Sequence, residues 1–359
     1  MNFFKFVWGL LFRLFPCPTP TGLRKIGNPT KDSPVLLTCN FDLTVRRLHR
    51  QLDGWNLWLI VAESKGVNVW CAAGADEFNT HSVVSAIKTS AIADEVEHRQ
   101  IILPPLGAPG IRKVDVEEQT GWTVEWGPVR AKDIPRFLAQ KNHRSESMKR
   151  TTYDLWERLD TALGSLFLFF LVGAAGFAIF GRSLFLDYLL VGSLVFVSFF
   201  LTCPWIPGTR GIIKGLLVSA VLLGLYMVGD LLFALGDTWL GPDLLIAIFL
   251  FPLFGAELGG LASTLPSDFD PLLAKMGIKS ISNTAFAGTV RTDLLNGWRE
   301  LTYHHDRCIS CKQCIEICPL GVWELGNDGR ADFANPTTCT ACTACLKNCT
   351  SGAIQAKRT

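Results

Sequence analysis

Apolar and polar positions divide this chain into stretches with different periods. Between residues 34 and 129, short apolar runs alternate with amphipathic ones. PVLLTCN (34–40), NLWLIVAE (56–63), NVWCA (68–72), QIILPP (100–105) and TVEWGPV (123–129) read as buried strands. LTVRRLHRQL (43–52), HSVVSAIKTSAIA (81–93) and DIPRFLAQ (133–140) lie between or after them and read as helices. Alternating strands and helices predict a three-layer, Rossmann-like α/β domain over residues 22–150. The SKG turn at 64–66 brings two strands close together and predicts a mixed sheet.

Farther along, the period gives way to unbroken apolarity. Residues 163–181, 183–202, 212–235 and 244–264 each have about the length that crosses a bilayer, ~20 residues. Lys141, Arg144, Lys149, Arg150 and Arg158 precede the first segment, and Arg210 and Lys214 lie between the second and third. The last connection carries Asp237 and Asp243 with no Lys or Arg, and Arg182 is the one contrary charge. By the positive-inside rule this predicts a four-helix transmembrane domain (160–265) in the cell (inner) membrane, with both soluble ends cytoplasmic. Asp187 would lie near an interface, and Asp230 and Glu257 would pair with Lys214 or face a cavity. MNFFKFVWGLLFRLFP (1–16) is too short to span and reads as an interfacial amphipathic helix or a buried terminal one. Residues 266–300, with Pro266 and Pro271, read as a linker.

Composition changes this picture mainly through cysteine. The length of 359 residues allows two or three domains, and a net charge of +2 points away from nucleic acid. Of 12 cysteines, eight crowd into residues 308–349. They form two runs, CISCKQCIEICP and CTACTACLKNCT, each C-x2-C-x2-C-x3-C. This is the bacterial ferredoxin pattern for two [4Fe–4S] clusters, in which the fourth cysteine of each run ligates the other cluster. Cluster one then takes Cys308, Cys311, Cys314 and Cys349, and cluster two takes Cys339, Cys342, Cys345 and Cys318. A zinc module is the competing reading, but zinc needs no third cysteine at this spacing. Residues 301–359 are thus expected to form an α+β ferredoxin domain, with Thr350 where the pattern carries proline. His304 and His305 just before it read as solvated.

Cys71 stands apart, in GVNVWCAAGADEFNT (66–80). A lone cysteine is usually a small core hydrophobe. Ala72, Ala73 and Gly74 remove bulk at what reads as a strand end, where α/β proteins place ligands. Asn79 or Thr80 would cap a helix that follows, and a helix N-terminus favours a thiolate. Cys17 and Cys39 read as structural, and Cys203 as lying at a membrane edge.

KGVNVWCAAG resembles the signature of the mercury-methylation corrinoid protein family, itself related to the large subunit of the corrinoid iron–sulfur protein of acetyl-CoA metabolism. The resemblance continues through GNPTKDSPVLLTCN (27–40), LPPLGAPG (103–110) and GPVRAKDIPRFL (127–138). The cysteine-rich tail resembles that family's ferredoxin partner, fused here. The resemblance implies a cobalamin-type corrinoid with Cys71 as lower axial ligand to cobalt. Asn68, Val69, Trp70, Ala72, Ala73 and Gly74 would line its lower face. Thr38, Asn40, Leu106, Gly107 and the Gly127–Arg130 turn would be contacts at the corrin rim. A thiolate donor would stabilise oxidised cobalt and help a methyl group leave. The clusters would return the cobalt to Co(I).

The implied activity is membrane-bound corrinoid-dependent methyl transfer, with a methyl-donor protein or methylated pterin and a low-potential electron donor as partners. Mercury(II) is the family's acceptor, and two departures weigh against it here. Ala75 replaces the signature's lysine and is followed by Asp76 and Glu77, and the chain ends QAKRT without the partner's vicinal cysteine pair. A membrane-anchored electron-transfer subunit that binds no corrinoid is the alternative.

Overall fold

The computed structural model describes residues 16–152, 154–159, 162–163, 170, 174, 193–207, 211–233, 299–336, 339 and 342–358. Two compact units divide the chain, one drawn from Pro16–Thr152 and Asp270–Thr359, the other from Met1–Phe15 and Tyr153–Phe269. The expected interfacial helix (1–16) lies outside the described residues but for Pro16. The linker (266–300) lies outside them but for its last two residues.

The first unit begins with five strands and seven helices. In chain order these are β1 (Gly22–Ile26), β2 (Val35–Cys39), α1 (Asp42–Gln51), β3 (Leu57–Ala62), α2 (Val69–Gly74), α3 (Thr80–Thr89), α4 (Ile92–Glu95), β4 (Gln100–Leu103), α5 (Lys113–Thr120), β5 (Thr123–Trp126), α6 (Ile134–Ala139) and α7 (Glu146–Lys149). The sheet order is β1-β3-β2-β4-β5. Strands β2 to β5 are parallel, with Leu36 facing Leu59 and Ile102 in adjacent strands. β1 runs antiparallel to β3.

Alternation along the strands sends residues to two cores. Val35, Leu37, Trp58, Ile60, Ile101, Leu103 and Val124 meet α2, α3 and α5 on one face. Leu36, Leu57, Leu59, Val61 and Ile102 meet α1 and α6 on the other. A parallel sheet needs helices on both faces, because its strands are apolar on both sides. The three-layer α/β expectation holds, and the sheet is mixed.

The mixing has a different origin from the one expected. The antiparallel member is β1 at a sheet edge, whose GLRKI carries Arg24 and Lys25 side by side. The turn at 64–66 leads into no strand, and NVWCA (68–72) is helical from Val69. Valine and tryptophan give that segment strand character by propensity, but propensity yields to local bonding. Asn68 caps the helix by accepting the Cys71 N–H at 3.0 Å. Asn79 caps α3 as expected, in a capping box with Ser82.

In the second unit the longer described elements are α8 (Ser193–Thr202), a 3-10 turn at Cys203–Trp205, and α9 (Gly211–Phe233). The expected spans 163–181, 183–202, 212–235 and 244–264 all lie wholly or partly outside the described residues. Among the described residues no helix is long and apolar enough to cross a membrane. This corrects the expectation of a multi-pass protein of the cell membrane. A span needs an unbroken apolar helix of about 20 residues. In α9, the longest described helix, Lys214 and Asp230 bracket an uncharged stretch of 15 residues (215–229). The Lys214 ammonium donates to the Cys203 carbonyl at 2.8 Å.

The C-terminal part of the first unit holds β6 (Arg299–Tyr303), α10 (Gln313–Ile317), β7 (Glu324–Leu325), β8 (Ala331–Asp332), α11 (Ala344–Asn348) and β9 (Ile354–Arg358). β6 pairs with β9 and β7 with β8, both antiparallel. The two cysteine runs fold alike. Lys312 and Thr343 each adopt a positive φ just before a five-residue helix, and a cysteine follows each helix. Trp323, buried between Tyr303 and Phe333, anchors the small core.

Candidate functional site

The loop after β3 is fixed by one side chain. Asn40 Oδ1 accepts from Ser64 N at 3.0 Å, Ser64 Oγ at 2.8 Å and Gly66 N at 2.9 Å, and its Nδ2 donates to Glu63 at 3.0 Å. Gly66 has φ +68°, and a Cβ there would stand 2.4 Å from Pro18 N. The chain leaves this clamp directly into α2.

Helical periodicity then splits the residues expected beneath a corrin ring. Trp70, Cys71 and Gly74, with the cap Asn68, are partly exposed, whereas Val69, Ala72 and Ala73 face the larger core. The small residues serve close packing. Gly110 approaches so tightly that a Cβ on it would lie 2.0 Å from the Phe78 carbonyl and 3.1 Å from Ala73 Cα. Ala72 and Ala73 therefore turn away from the open side, while Cys71 is only half-buried and in no disulfide.

The other expected contacts gather at the same edge of the sheet. Thr38 lies at the end of β2 and Asn40 just beyond it, and Leu106 and Gly107 lie in a 3-10 turn after β4 (Pro105–Gly107) beside α2. The chain goes from β2 outward to β3 and then crosses to β4, so strand order reverses between β2 and β4. In open α/β sheets ligands bind outside the carboxyl ends of strands at such a reversal. Thr38, Asn40 and Gly107 are themselves buried, with Asn40 engaged by the loop and Gly107 against Phe78 and Ile111.

The eight clustered cysteines sort into two cavities. One is lined by Cys308, Cys311, Cys314 and Cys349. The other is lined by Cys318, Cys339, Cys342 and Cys345. Each holds three cysteines of one run and the fourth of the other, the crossed pattern expected of paired clusters. Burial, then neighbouring thiols, pushes Cys314 up to about 12. Burial also pushes Cys342 up to about 12, with Cys318 and Cys339 adding to the shift. Such thiols ionise when bound iron supplies positive charge, so the donor set suits metal clusters.

The cluster-binding part is seated on the α/β part within one unit. Ile317 and Ala344 lie in the larger α/β core, with Cys342 packed against it. Glu316 accepts from Arg144 at 2.5 Å and from Lys149 at 2.8 Å, and the Arg144 side chain is only 8% exposed. Arg150 donates to the Cys318 carbonyl, and Thr151 N–H to that of Pro319. On the other side Asn348 Oδ1 accepts the Lys113 N–H at 3.0 Å, and its Nδ2 reaches the carbonyls of Ile111 and Ala108 at 3.1 and 3.3 Å. Lys347 donates to the Gly110 carbonyl at 2.6 Å and pairs with Asp76 at 3.8 Å. Sequence reading placed Arg144, Lys149 and Arg150 beside a membrane span and did not single out Glu316, Lys347 or Asn348. Polar side chains between cysteines look solvated until the fold brings their partners.

Comparison with known proteins bears on both parts. Residues 14–138 match the family model described as CO dehydrogenase/acetyl-CoA synthase delta subunit, and residues 307–354 match the 4Fe-4S dicluster domain. The chain joins a corrinoid-protein-like domain to a 4Fe–4S dicluster domain. The acetyl-CoA decarbonylase/synthase complex subunit gamma of Methanopyrus kandleri is 34% identical over 128 residues, covering 35% of this chain and 27% of that protein. The corresponding subunit of Methanocaldococcus jannaschii is 36% identical over 125 residues, covering 34% and 25%. That of Archaeoglobus fulgidus is 32% identical over 129 residues, covering 35% and 27%. The chain thus spans about a quarter of the length of these relatives. These matches fall on the acetyl-CoA side of the resemblance drawn from sequence, and they support a corrinoid and iron–sulfur clusters as the cofactors. The half-buried Cys71 thiol, on the open side of α2 beside the strand-order reversal, suits a corrinoid.

Proposed function

We propose that this chain carries out corrinoid-dependent methyl transfer, with Cys71 as the lower axial ligand and the cysteine-rich part as a built-in reductase. Residues 22–150 would form the corrinoid-binding domain and residues 301–359 the ferredoxin domain. The observation that carries this reading is the half-buried Cys71 on α2, at the sheet's ligand-binding edge, in the same compact unit as two four-thiol cavities. When bound, a corrinoid supplies a cobalt that takes up and hands on a methyl group, and the clusters supply single electrons at low potential.

The chain's own residues position these groups. Asn68 holds the first turn of α2, so the Cys71 thiol is presented from a fixed backbone. Asn40 holds the loop that feeds that turn. Asn68, Trp70 and Gly74 flank the thiol on the open side. A thiolate ligand donates strongly to cobalt and so favours release of the methyl group to an electrophile, of which mercury(II) is one example. The relatives are subunits of a complex, in keeping with a separate methyl-donor protein or methylated pterin and an external low-potential electron donor.

The test is to load the full chain anaerobically with cobalamin and record its visible spectrum. Corrin bands that shift on Cys71→Ala, with cluster absorption unchanged, are expected. Cluster absorption alone, with no corrin retained, overturns the proposal and leaves an electron-transfer protein. Offering the methylated holoprotein a panel of metal and thiol acceptors then identifies the acceptor, mercury(II) among them.

A further inference from the structure

The two cluster cavities are not equivalent with respect to the α/β core. The cavity of Cys308, Cys311, Cys314 and Cys349 faces outward: Cys311 is exposed, and the adjacent Ile309 is 63% exposed. The cavity of Cys318, Cys339, Cys342 and Cys345 faces inward. Ile317 and Ala344, each adjacent in sequence to one of its ligands, are buried in the α/β core, and Cys342 packs against that core. The ligand sets alone do not predict this asymmetry, because the two runs have the same spacing.

A short bonded route leads from the helix between the two cavities toward α2. α11 carries Cys345 of the inward cavity and ends at Lys347 and Asn348, with Cys349 of the outward cavity following. Asn348 is only 4% exposed and spends its donor and acceptor groups on the 108–113 segment and its own helix. Lys347 is tied to the Gly110 carbonyl and to Asp76, just beyond α2. Gly110 in turn lies against Ala73, two residues from Cys71, with no room for a side chain between them.

We propose that the cluster held by Cys318, Cys339, Cys342 and Cys345 is the exit cluster that delivers electrons to the corrinoid, and that Asn348 and Lys347 are positioning residues that seat it against the 108–111 loop behind α2. This rests on the corrinoid reading above. In the step, the reduced exit cluster gives up one electron and returns to its oxidised state, while corrinoid cobalt(II) takes up that electron and becomes cobalt(I). The outward cluster re-reduces the exit cluster after receiving an electron from an external low-potential donor. Electron transfer falls steeply with distance, so loss of the seat slows this step and leaves the clusters intact.

The test uses the full chain carrying both clusters and cob(II)alamin, with titanium(III) citrate as reductant. Three quantities are read in wild type, Asn348→Ala and Lys347→Met: hydrogen exchange across residues 108–113, cluster potentials by redox titration, and the rate of cobalt(I) formation from pre-reduced clusters. For Asn348→Ala, exchange at the Lys113 amide rises more than tenfold, cobalt(I) formation slows more than tenfold, and the potentials stay at the wild-type values. Lys347→Met gives the same pattern at about threefold, and it carries the test if Asn348→Ala fails to retain clusters. Unchanged exchange overturns the seating. Faster exchange with a wild-type rate overturns the exit-cluster assignment, as does a rate loss explained by shifted potentials. If wild type retains no cob(II)alamin, the corrinoid reading and the exit-cluster assignment both fall, and hydrogen exchange still judges the seating on its own.

Discussion

Asn40 and Glu125 show how single side chains set the conditions for the site. Asn40 makes four hydrogen bonds, three of them accepted from the loop that feeds α2. Truncation leaves buried donors unsatisfied, which costs about 1–3 kcal/mol. Asn40→Ala is therefore expected to lower stability by about 2 kcal/mol in urea denaturation, and to loosen corrinoid binding without loss of cluster absorption. Glu125 is held above the usual carboxylate range, first by burial, although Asn142 and Arg144 oppose the shift. An acid whose folded pKa is raised favours the fold in its protonated form, and that contribution is lost as pH rises from the unfolded value through the folded one. Glu125→Gln should thus raise stability at pH 7, with the gain shrinking as pH falls through the raised folded value toward the ordinary carboxylate range. Thermal melts across that range check the sign. At this scale the cysteines were legible in sequence, because their spacing is itself the ligation pattern. The loop contacts of Asn40 and the role of Asn348 were not, because their partners stand up to 26 and 240 residues away.

Among elements, α2 departs most from what its sequence suggests. Val69 and Trp70 favour a strand, but β3 has already ended at Ala62, and the Asn68 cap starts a helix instead. The consequence is functional: a strand would have put Cys71 and Ala73 on the same side, whereas the helix buries Ala73 and leaves Cys71 half-open. The Ala-Ala-Gly run correctly signalled a close approach. What approaches Ala73 in this structure is the backbone of Gly110. Gly110→Ala forces a Cβ onto the Phe78 carbonyl, and overpacking of this kind costs about 1–3 kcal/mol. It should lower the melting temperature and perturb the cobalamin spectrum, whereas alanine at Gly54, which meets nothing within 4 Å but has φ +81°, should cost stability alone. β1 escaped notice because it is a short edge strand with Arg24 and Lys25 in place of an apolar run.

For the molecule as a whole, the α/β and ferredoxin parts were each readable from pattern and spacing, but their union was not. It depends on Ile317 and Ala344 completing a core built from distant residues, and on Arg144 and Lys149 converging on Glu316. Removing one partner of a buried pair leaves the other uncompensated. Because Glu316 is partly exposed, Arg144→Ala is expected to cost about 2 kcal/mol after discounting for solvent screening, read as earlier loss of cluster absorption in a denaturant titration. Air oxidation of the clusters gives a companion expectation. As metal binding and folding are coupled, bleaching should raise hydrogen exchange around Ile317 and Ala344 and also in the α/β helices they touch.

The pairing of Asn348 with Ile111 also bears on how the protein is made. Ile111 leaves the ribosome long before Asn348, 237 positions later, and at about 5–20 residues per second that wait is on the order of ten to fifty seconds. Through that interval the nascent sheet domain presents a greasy, unfinished flank, so chaperone binding should concentrate on ribosome-bound chains arrested before the second cysteine run and fall away once it emerges and acquires iron.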